Sequence, residues 1–319
     1  MAKISVIIPC YNAGLFLNKC LESFVNQNYK DFNLILIDDC STDNTPDLIR
    51  GWIDRNILEI IYIRNEINSG PAISRNKGIG ASTGEWIAFC DSDDWYERDF
   101  LSKMVSNVES HDADMIACGF NVVVGNRTIK SNNISSTKVL LSSRESLFLN
   151  IDSLCCILIK RDIIKAISQP DLRNGEDMAI IPLLLSESKK IVVLPDCLYN
   201  YYTRQGSASL SPTMKVVDSL VASFEHIYIH LSDNYKEEKE FIGVRNLVYG
   251  GLLNLFKCSY DTRKASAILT DFESKYPNWY KNRNIRKLPI TKRVFVAFAK
   301  YKCFLMMRLF SLFHQLVLK

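Results

Sequence analysis

The sequence predicts an α/β protein, a mostly parallel sheet with helices on both faces, followed by a helical C-terminal region. Three observations carry that prediction. Strand and helix patterns alternate from the first residues. The strands read as continuous apolar runs, as expected where both faces of a sheet are covered. From Met214 onward only helical periodicity remains. At 319 residues, 47% apolar and 23% charged, the chain can build one large domain with an appendage, or two domains. The division is expected at 212/213, giving residues 1–212 and 213–319.

The elements follow in order. Lys3 to Pro9 is an apolar strand, and Leu15 to Val25 places Leu17, Cys20, Leu21, Phe24 and Val25 on one helical face. Phe32 to Ile37 is a second strand. Thr45, Pro46 and Asp47 supply a cap, a proline at the first helical position and an acid near the positive helix end, which starts a helix towards Ile53. A strand at Leu58 to Ile63, a helix from Pro71 to Gly80 and a strand at Glu85 to Phe89 complete a βαβαβαβ run, whose connections are expected to be right-handed. A helix is expected to begin near Tyr96 and to cover Phe100 to Val108. Ala113 to Val124 reads as one or two strands, Asn126 to Thr137 as an exposed loop or hairpin, Cys156 to Ile159 and Ile191 to Leu194 as strands, and a helix opens near Glu176.

Four strand ends carry polar clusters. Trp86 to Phe89 runs into Cys90-Asp91-Ser92-Asp93-Asp94, three carboxylates within four positions. Hard divalent cations such as Mg²⁺ or Mn²⁺ take oxygen ligands, usually one or two carboxylates plus substrate phosphate oxygens. The carboxyl ends of strands in an open α/β sheet are where ligands bind. Standing alone, the same run also fits an acidic turn capping the next helix. Pro9-Cys10-Tyr11-Asn12 offers an aromatic ring for a flat base, or a plain turn. Asp38-Asp39-Cys40-Ser41-Thr42-Asp43 offers carboxylates for a base or ribose, or a polar loop with Asx turns. In Asn68-Ser69-Gly70-Pro71-Ala72-Ile73-Ser74-Arg75-Asn76, Arg75 lies a turn into a helix, where it can hold Asp91 or Asp39 or reach a phosphate.

Together the pieces SVIIPCYN, LIDDCSTDNT, GPAISRNKG and ASTGEWIAFCDSDDW, spread over the first hundred residues, make the chain resemble the nucleotide-binding half of a family 2 glycosyltransferase with the GT-A fold. That resemblance implies a Rossmann-like nucleotide-diphospho-sugar transferase sheet. It implies that Pro9, Tyr11, Asn12, Asp39, Arg75, Asp91, Ser92 and Ser207 surround a nucleotide-sugar, with Tyr11 and Asp39 on the base. Asp91 and Asp93 form the Asp-x-Asp element, in which Asp93 is the direct ligand of Mn²⁺ or Mg²⁺ and Asp91 serves the ribose or the metal shell. In Arg173-Asn174-Gly175-Glu176-Asp177-Met178 the resemblance makes Asp177 the general base, assisted by Glu176, although acids at a helix start are also stabilised by the helix dipole. In Tyr201-Tyr202-Thr203-Arg204-Gln205-Gly206-Ser207, Arg204 is the residue implied to stabilise the leaving diphosphate; a surface loop is the plainer reading. The resemblance also implies a single displacement with inversion, a UDP-sugar as donor, and a glycan or lipid-linked acceptor in surface-polysaccharide synthesis.

A sugar-nucleotide pyrophosphorylase would need a Gly-rich basic loop after the first strand, where Tyr11-Asn12-Ala13-Gly14 stands instead. A non-catalytic nucleotide-sugar-binding scaffold would be expected to lack one of Asp93, Asp177 or Arg204, and all are present.

Ten cysteines without a C-x-x-C pair, most of them in apolar runs, read as reduced buried thiols of a cytoplasmic protein, and the amino end does not read as a signal peptide. The net charge of +4 conceals an asymmetry: no Asp or Glu follows Glu273, and residues 274–319 carry eleven Lys and Arg. From Ile285 these cations are mixed with bulky apolar residues in stretches shorter than the roughly 20 residues needed to span a bilayer. That pattern predicts a basic amphipathic tail over residues 285–319, lying on an anionic inner membrane surface, rather than a nucleic-acid-binding one. A core-packing helix with a basic end is the competing expectation. The helices between 214 and 273 are expected to shape the acceptor pocket or a homodimer contact.

Overall fold

A computed structural model describes residues 3–125, 127–130, 137–140, 143–149, 151, 153–167, 170–172, 175–203 and 212–317. The chain divides into two compact units: residues 1–173 with 184–205, and residues 174–183 with 206–319. A single cut at 212/213 misses this interleaving, because residues 174–183 join the later part of the chain.

The first unit is built on one sheet. Its strands are β1 (Ile4–Cys10), β2 (Phe32–Asp38), β3 (Ile60–Arg64), β4 (Trp86–Phe89), β5 (Trp95–Tyr96), β6 (Met115–Val124), β7 (Arg127–Lys130), β8 (Lys138–Leu140), β9 (Ile157–Lys160) and β10 (Ile191–Thr203). The order is β3-β2-β1-β4-β9-β6-β10-β5, with β7 on β6 and β8 on β10. The first four strands pair in parallel, as their unbroken apolar runs require. Beyond β4 the sheet is mixed: β9 runs antiparallel to both β4 and β6, while β10 is parallel to β6. Helices α1 (Leu17–Val25), α2 (Thr45–Arg55), α3 (Pro71–Ala81) and α4 (Phe100–His111) connect the strands.

Register fixes where the polar turns fall. Cys10 pairs with Asp38, and Ile7 with Phe89. The backbone N–H of Asp39 donates to Cys10 O (2.8 Å), Asn65 N–H to Asp38 O (2.8 Å) and Cys90 N–H to Ile7 O (3.1 Å). The turns after β1, β2, β3 and β4 are thereby held along one carboxyl edge of the sheet.

Two expectations change. The residues after the acidic turn form the short strand β5 against β10, so the helix starts at Phe100 and not near Tyr96. β10 does not stop at Leu194 but continues to Thr203 through register shifts between Val193 and Tyr199, where Pro195-Asp196-Cys197 interrupts the apolar pattern. Of the segment 126–137, Arg127–Lys130 pairs antiparallel with β6; residues 126 and 131–136 lie outside the described residues.

Two short helices, α5 (Ser143–Ser146) and α6 (Arg161–Lys165), precede α7 (Glu176–Glu187), whose opening turns belong to the second unit. That unit continues with α8 (Met214–His230), α9 (Lys236–Gly243), a π-helical stretch (Val244–Gly251), α10 (Leu252–Cys258), α11 (Thr262–Lys275), α12 (Ile290–Lys300) and α13 (Phe304–Val317). Its core is aromatic: Phe224, Phe256, Phe272 and Trp279 are fully buried, with Phe224 and Phe272 edge-to-face at 5.3 Å.

Candidate active site

The carboxyl edge of the first unit is a continuous hydrogen-bonded surface. Asn12, in the left-handed region at φ 48°, accepts from Thr42 N–H through its side-chain oxygen (2.9 Å), and its own N–H donates to Ser41 Oγ (3.0 Å). Ala13 N–H donates to Thr45 Oγ1 (2.8 Å) and Gly14 N–H to Asp43 Oδ2 (3.0 Å), so the loops after β1 and β2 are zipped together. Tyr11 stands half-exposed beside them, and Pro9 lies within β1.

Asp39 is buried, and its carboxylate accepts from Asn65 Nδ2 (2.7 Å), Ser69 N–H (2.8 Å) and Gly70 N–H (2.7 Å). Gly70 has φ 87°, a conformation that favours glycine, and Pro71 follows as the first residue of α3. Asp39 therefore fixes where α3 begins. A carboxylate has about four acceptor positions, so the three bonds leave one for a further donor. Lys77 Nζ donates to Asn65 Oδ1 (2.7 Å), steadying the same network.

One turn into α3, Arg75 is buried and its Nη2 donates to Asp91 Oδ1 at 2.8 Å. Of the two partners that the sequence allows for Arg75, Asp91 takes this ion pair. Asp91 keeps 38% of its side chain exposed, and Ser92 and Asp93 beside it are half-buried.

Asp94 differs from both neighbours. It is buried, the Tyr199 hydroxyl donates to its Oδ2, and Tyr202 N–H donates to its Oδ1 at 2.7 Å. Tyr199 in turn accepts from Asp91 N–H (3.4 Å). Burial, followed by the charges of Asp91 and Asp93, pushes the Asp94 carboxyl up to about 8, against the lowering hydrogen bonds from Tyr199 and Tyr202. Asp94 thus ties the acidic turn to the end of β10, and does not cap α4, whose N-cap is Asp99. Close by, Lys19 Nζ sits 3.1 Å from the centre of the Trp95 ring, and Tyr202 packs between Trp95 and Phe16.

The donor set suits a hard divalent cation. The charges of Asp91 and Asp93 add to burial, the larger cause, in raising the Asp94 carboxyl. Asp94 is engaged on β10, while Asp93 and the exposed part of Asp91 are oxygen donors of the kind that Mg²⁺ or Mn²⁺ shares with phosphate. Among the described residues no ready-made group of three or more His, Cys, Asp or Glu is gathered.

In the second unit, Glu176 and Asp177 form the first turn of α7 and are half-buried. Gly175 precedes them at φ 78°, its carbonyl accepts from Ser223 Oγ on α8 (2.8 Å), and a Cβ there would meet that oxygen at 2.9 Å. The backbone at the head of α7 is thereby set by α8. Arg204 and Ser207 lie outside the described residues.

Asp94, Tyr199, Asn65, Lys77 and Ser223 are site-organising residues that sequence reasoning missed. Their partners lie from 9 to more than 100 positions away, as with Asn65 to Ser74 and Asp94 to Tyr199. The one local signal was the third carboxylate of the run, an acid following a complete Asp-x-Asp element.

A family model described as glycosyl transferase family 2 matches residues 5–168, about half of the chain. The chain is 29% identical over 267 residues to the glycosyltransferase GlyA of Streptococcus pneumoniae, covering 79% of this chain and 38% of GlyA. It is 28% identical over 218 residues to TarS of Staphylococcus aureus, a poly(ribitol-phosphate) β-N-acetylglucosaminyltransferase, covering 66% of this chain and 37% of TarS. The chain therefore spans little more than a third of the length of these two relatives. A crystal structure of TarS 1–349 in complex with UDP-GlcNAc matches with a TM-score of 0.70 at 23% identity, over 98% of this chain and 91% of that one, which establishes the GT-A fold. The chain belongs to glycosyl transferase family 2.

Proposed function

We propose that this protein is a glycosyltransferase that takes a sugar from a UDP-sugar and passes it, with inversion, to a glycan or lipid-linked acceptor in cell-surface polysaccharide synthesis, in the cytoplasm at the inner face of the membrane. The observation that carries the proposal is the junction of Arg75 with Asp91 beside Asp93, on the same sheet edge as Tyr11 and Asp39. TarS, a poly(ribitol-phosphate) β-N-acetylglucosaminyltransferase with a structure in complex with UDP-GlcNAc, supports a UDP-sugar and a polymeric acceptor.

In this reading Tyr11 stacks on the base and the remaining acceptor position of Asp39 receives a base N–H. Arg75 holds Asp91 towards the ribose. Asp93, with Asp91, would hold Mn²⁺ or Mg²⁺, which supplies charge neutralisation to the departing diphosphate. Arg204 and Ser207 hold the same diphosphate through charge-assisted and hydroxyl hydrogen bonds. Asp177 takes the proton from the acceptor hydroxyl, and Glu176 orients that acceptor. The hydroxyl oxygen attacks the face of the anomeric carbon opposite the leaving group, the C–O bond to the diphosphate breaks, and the configuration inverts.

The test is incubation with Mn²⁺ and a panel of nucleotide-sugars, following release of the free nucleotide. Release from one UDP-sugar is expected. Release from none of the panel, with or without a glycan acceptor, contradicts the reading.

A further inference from the structure

Helix α13 carries an apolar face that the described residues leave uncovered. Leu305, Met306, Leu309, Leu312, Phe313 and Leu316 of α13 are each between 38% and 73% exposed. At 100° per residue these six positions fall within an arc of roughly 120°. No charged residue interrupts that arc.

The opposite face is firmly docked. Met307 and Ser311 are buried, Phe310 packs on Phe295 of α12 at 5.3 Å, and Arg308 Nη1 donates to the carbonyl of Phe256. The helix therefore has no freedom to roll its leucines inward.

α12 repeats the pattern. Ile290 and Val294 of α12, and Tyr301 at its C-terminal cap, are exposed at helical spacing, and between α12 and the preceding turn lies a groove of about 320 Å³ with Arg293 and Lys300 among its walls.

We propose that α13 and α12 lie in the plane of an anionic lipid bilayer, the α13 leucines and Phe313 entering the acyl boundary while Arg293 and Lys300 meet lipid phosphates. This deepens the membrane-side reading above, on which it rests for its biological purpose. α13 is 14 residues long and no helix among the described residues is long and apolar enough to cross a bilayer, so the orientation is in-plane. Charge chooses the occupant. Residues 274–319 carry eleven cations and no acid. A second copy seated on this face would bring two such segments together, whereas an anionic leaflet neutralises one.

The experiment is flotation of the full chain with phosphatidylcholine vesicles, with and without phosphatidylglycerol. The wild-type protein is expected to co-float, more strongly with the anionic lipid. Leu309→Ser combined with Phe313→Ser should lower binding at least about tenfold on both vesicle types. Arg293→Gln combined with Lys300→Gln should weaken binding about tenfold on anionic vesicles and little on neutral ones. Wild-type protein that stays unbound to both vesicles overturns the proposal. So does a solution dimer that Leu309→Ser with Phe313→Ser converts to monomer, because a second copy then covers the face. Nucleotide-sugar turnover in lipid-free buffer separates the two readings: turnover without vesicle binding removes only the membrane proposal, and vesicle binding without turnover removes only the transferase reading.

Discussion

Asp94 accepts the backbone N–H of Tyr202 at 2.7 Å, across 108 positions of sequence. The same carboxyl receives the Tyr199 hydroxyl, and Tyr199 accepts from Asp91 N–H. The end of β10 and the acidic turn are thus one mechanical piece.

Removing the Asp94 side chain strands a buried hydroxyl and a backbone N–H. Asp94→Ala should therefore cost about 2 kcal/mol of stability and weaken nucleotide binding as the turn loosens. Asp94→Asn, which keeps an acceptor for Tyr202, should cost less. Denaturant unfolding and UDP titration check both; an alanine variant as stable as wild type would mean that the bonds to Tyr199 and Tyr202 are dispensable.

Arg75 is almost fully buried and its partner Asp91 is partly exposed. Replacing it by Met leaves Asp91 without its guanidinium and should destabilise the fold by about 1 kcal/mol, because the carboxylate left behind is partly solvated. On the proposed reading, in which Asp91 faces the ribose, UDP affinity should fall about tenfold. Arg75→Lys should not restore affinity, since an ammonium lacks the planar fork. Calorimetric Kd values for UDP decide this, and a lysine variant with wild-type affinity would show that charge alone suffices.

Gly175 holds φ 78° against Ser223 Oγ. Gly175→Ala should cost about 1–2 kcal/mol and displace the head of α7. Transfer should drop more than about tenfold while UDP binding stays unchanged. Equal loss of kcat and nucleotide affinity would argue that α7 has no separate role.

Asp114 supplies the pH dependence. Burial raises its pKa, but the Lys160 hydrogen bond (2.6 Å) and the backbone N–H groups of Lys190 and Lys189 outweigh this and hold it below the ordinary value. A carboxyl depressed in the folded state contributes stability that is present above its unfolded pKa of about 3.9 and is lost as pH falls through the folded value. Thermal unfolding below about pH 4 should therefore show an acid-side loss that Asp114→Asn reduces. An unchanged acid limb in that variant would assign the loss to other carboxylates.

Much of the first unit is legible in the sequence because its strands are continuous apolar runs that end in punctuated turns, with Ile4–Cys10 and Phe32–Asp38 the plainest. The contact of Arg75 with Asp91 is one of the two that the sequence allows, since α3 connects β3 to β4 and Asp91 follows the end of β4. What escapes is what depends on long-range pairing. Ile191–Thr203 passes through Pro195 and Asp196 and reads as a short strand plus loop, until β6 supplies the partner that carries it to Thr203. Asp94 looks like a helix cap because its partners, Tyr199 and Tyr202, arrive only when β10 folds alongside. The apolar face of α13 is legible as a pattern, but which side packs inward is decided by Phe295 and Phe256.

The most direct measurement is donor binding and nucleotide release by Asp177→Asn beside wild type, with Mn²⁺, a UDP-sugar and a glycan acceptor. The expected result is unchanged UDP-sugar affinity with transfer lost by at least about a hundredfold, as removal of a general base requires. An asparagine variant that transfers sugar at the wild-type rate would place the proton acceptor elsewhere and contradict the proposed chemistry.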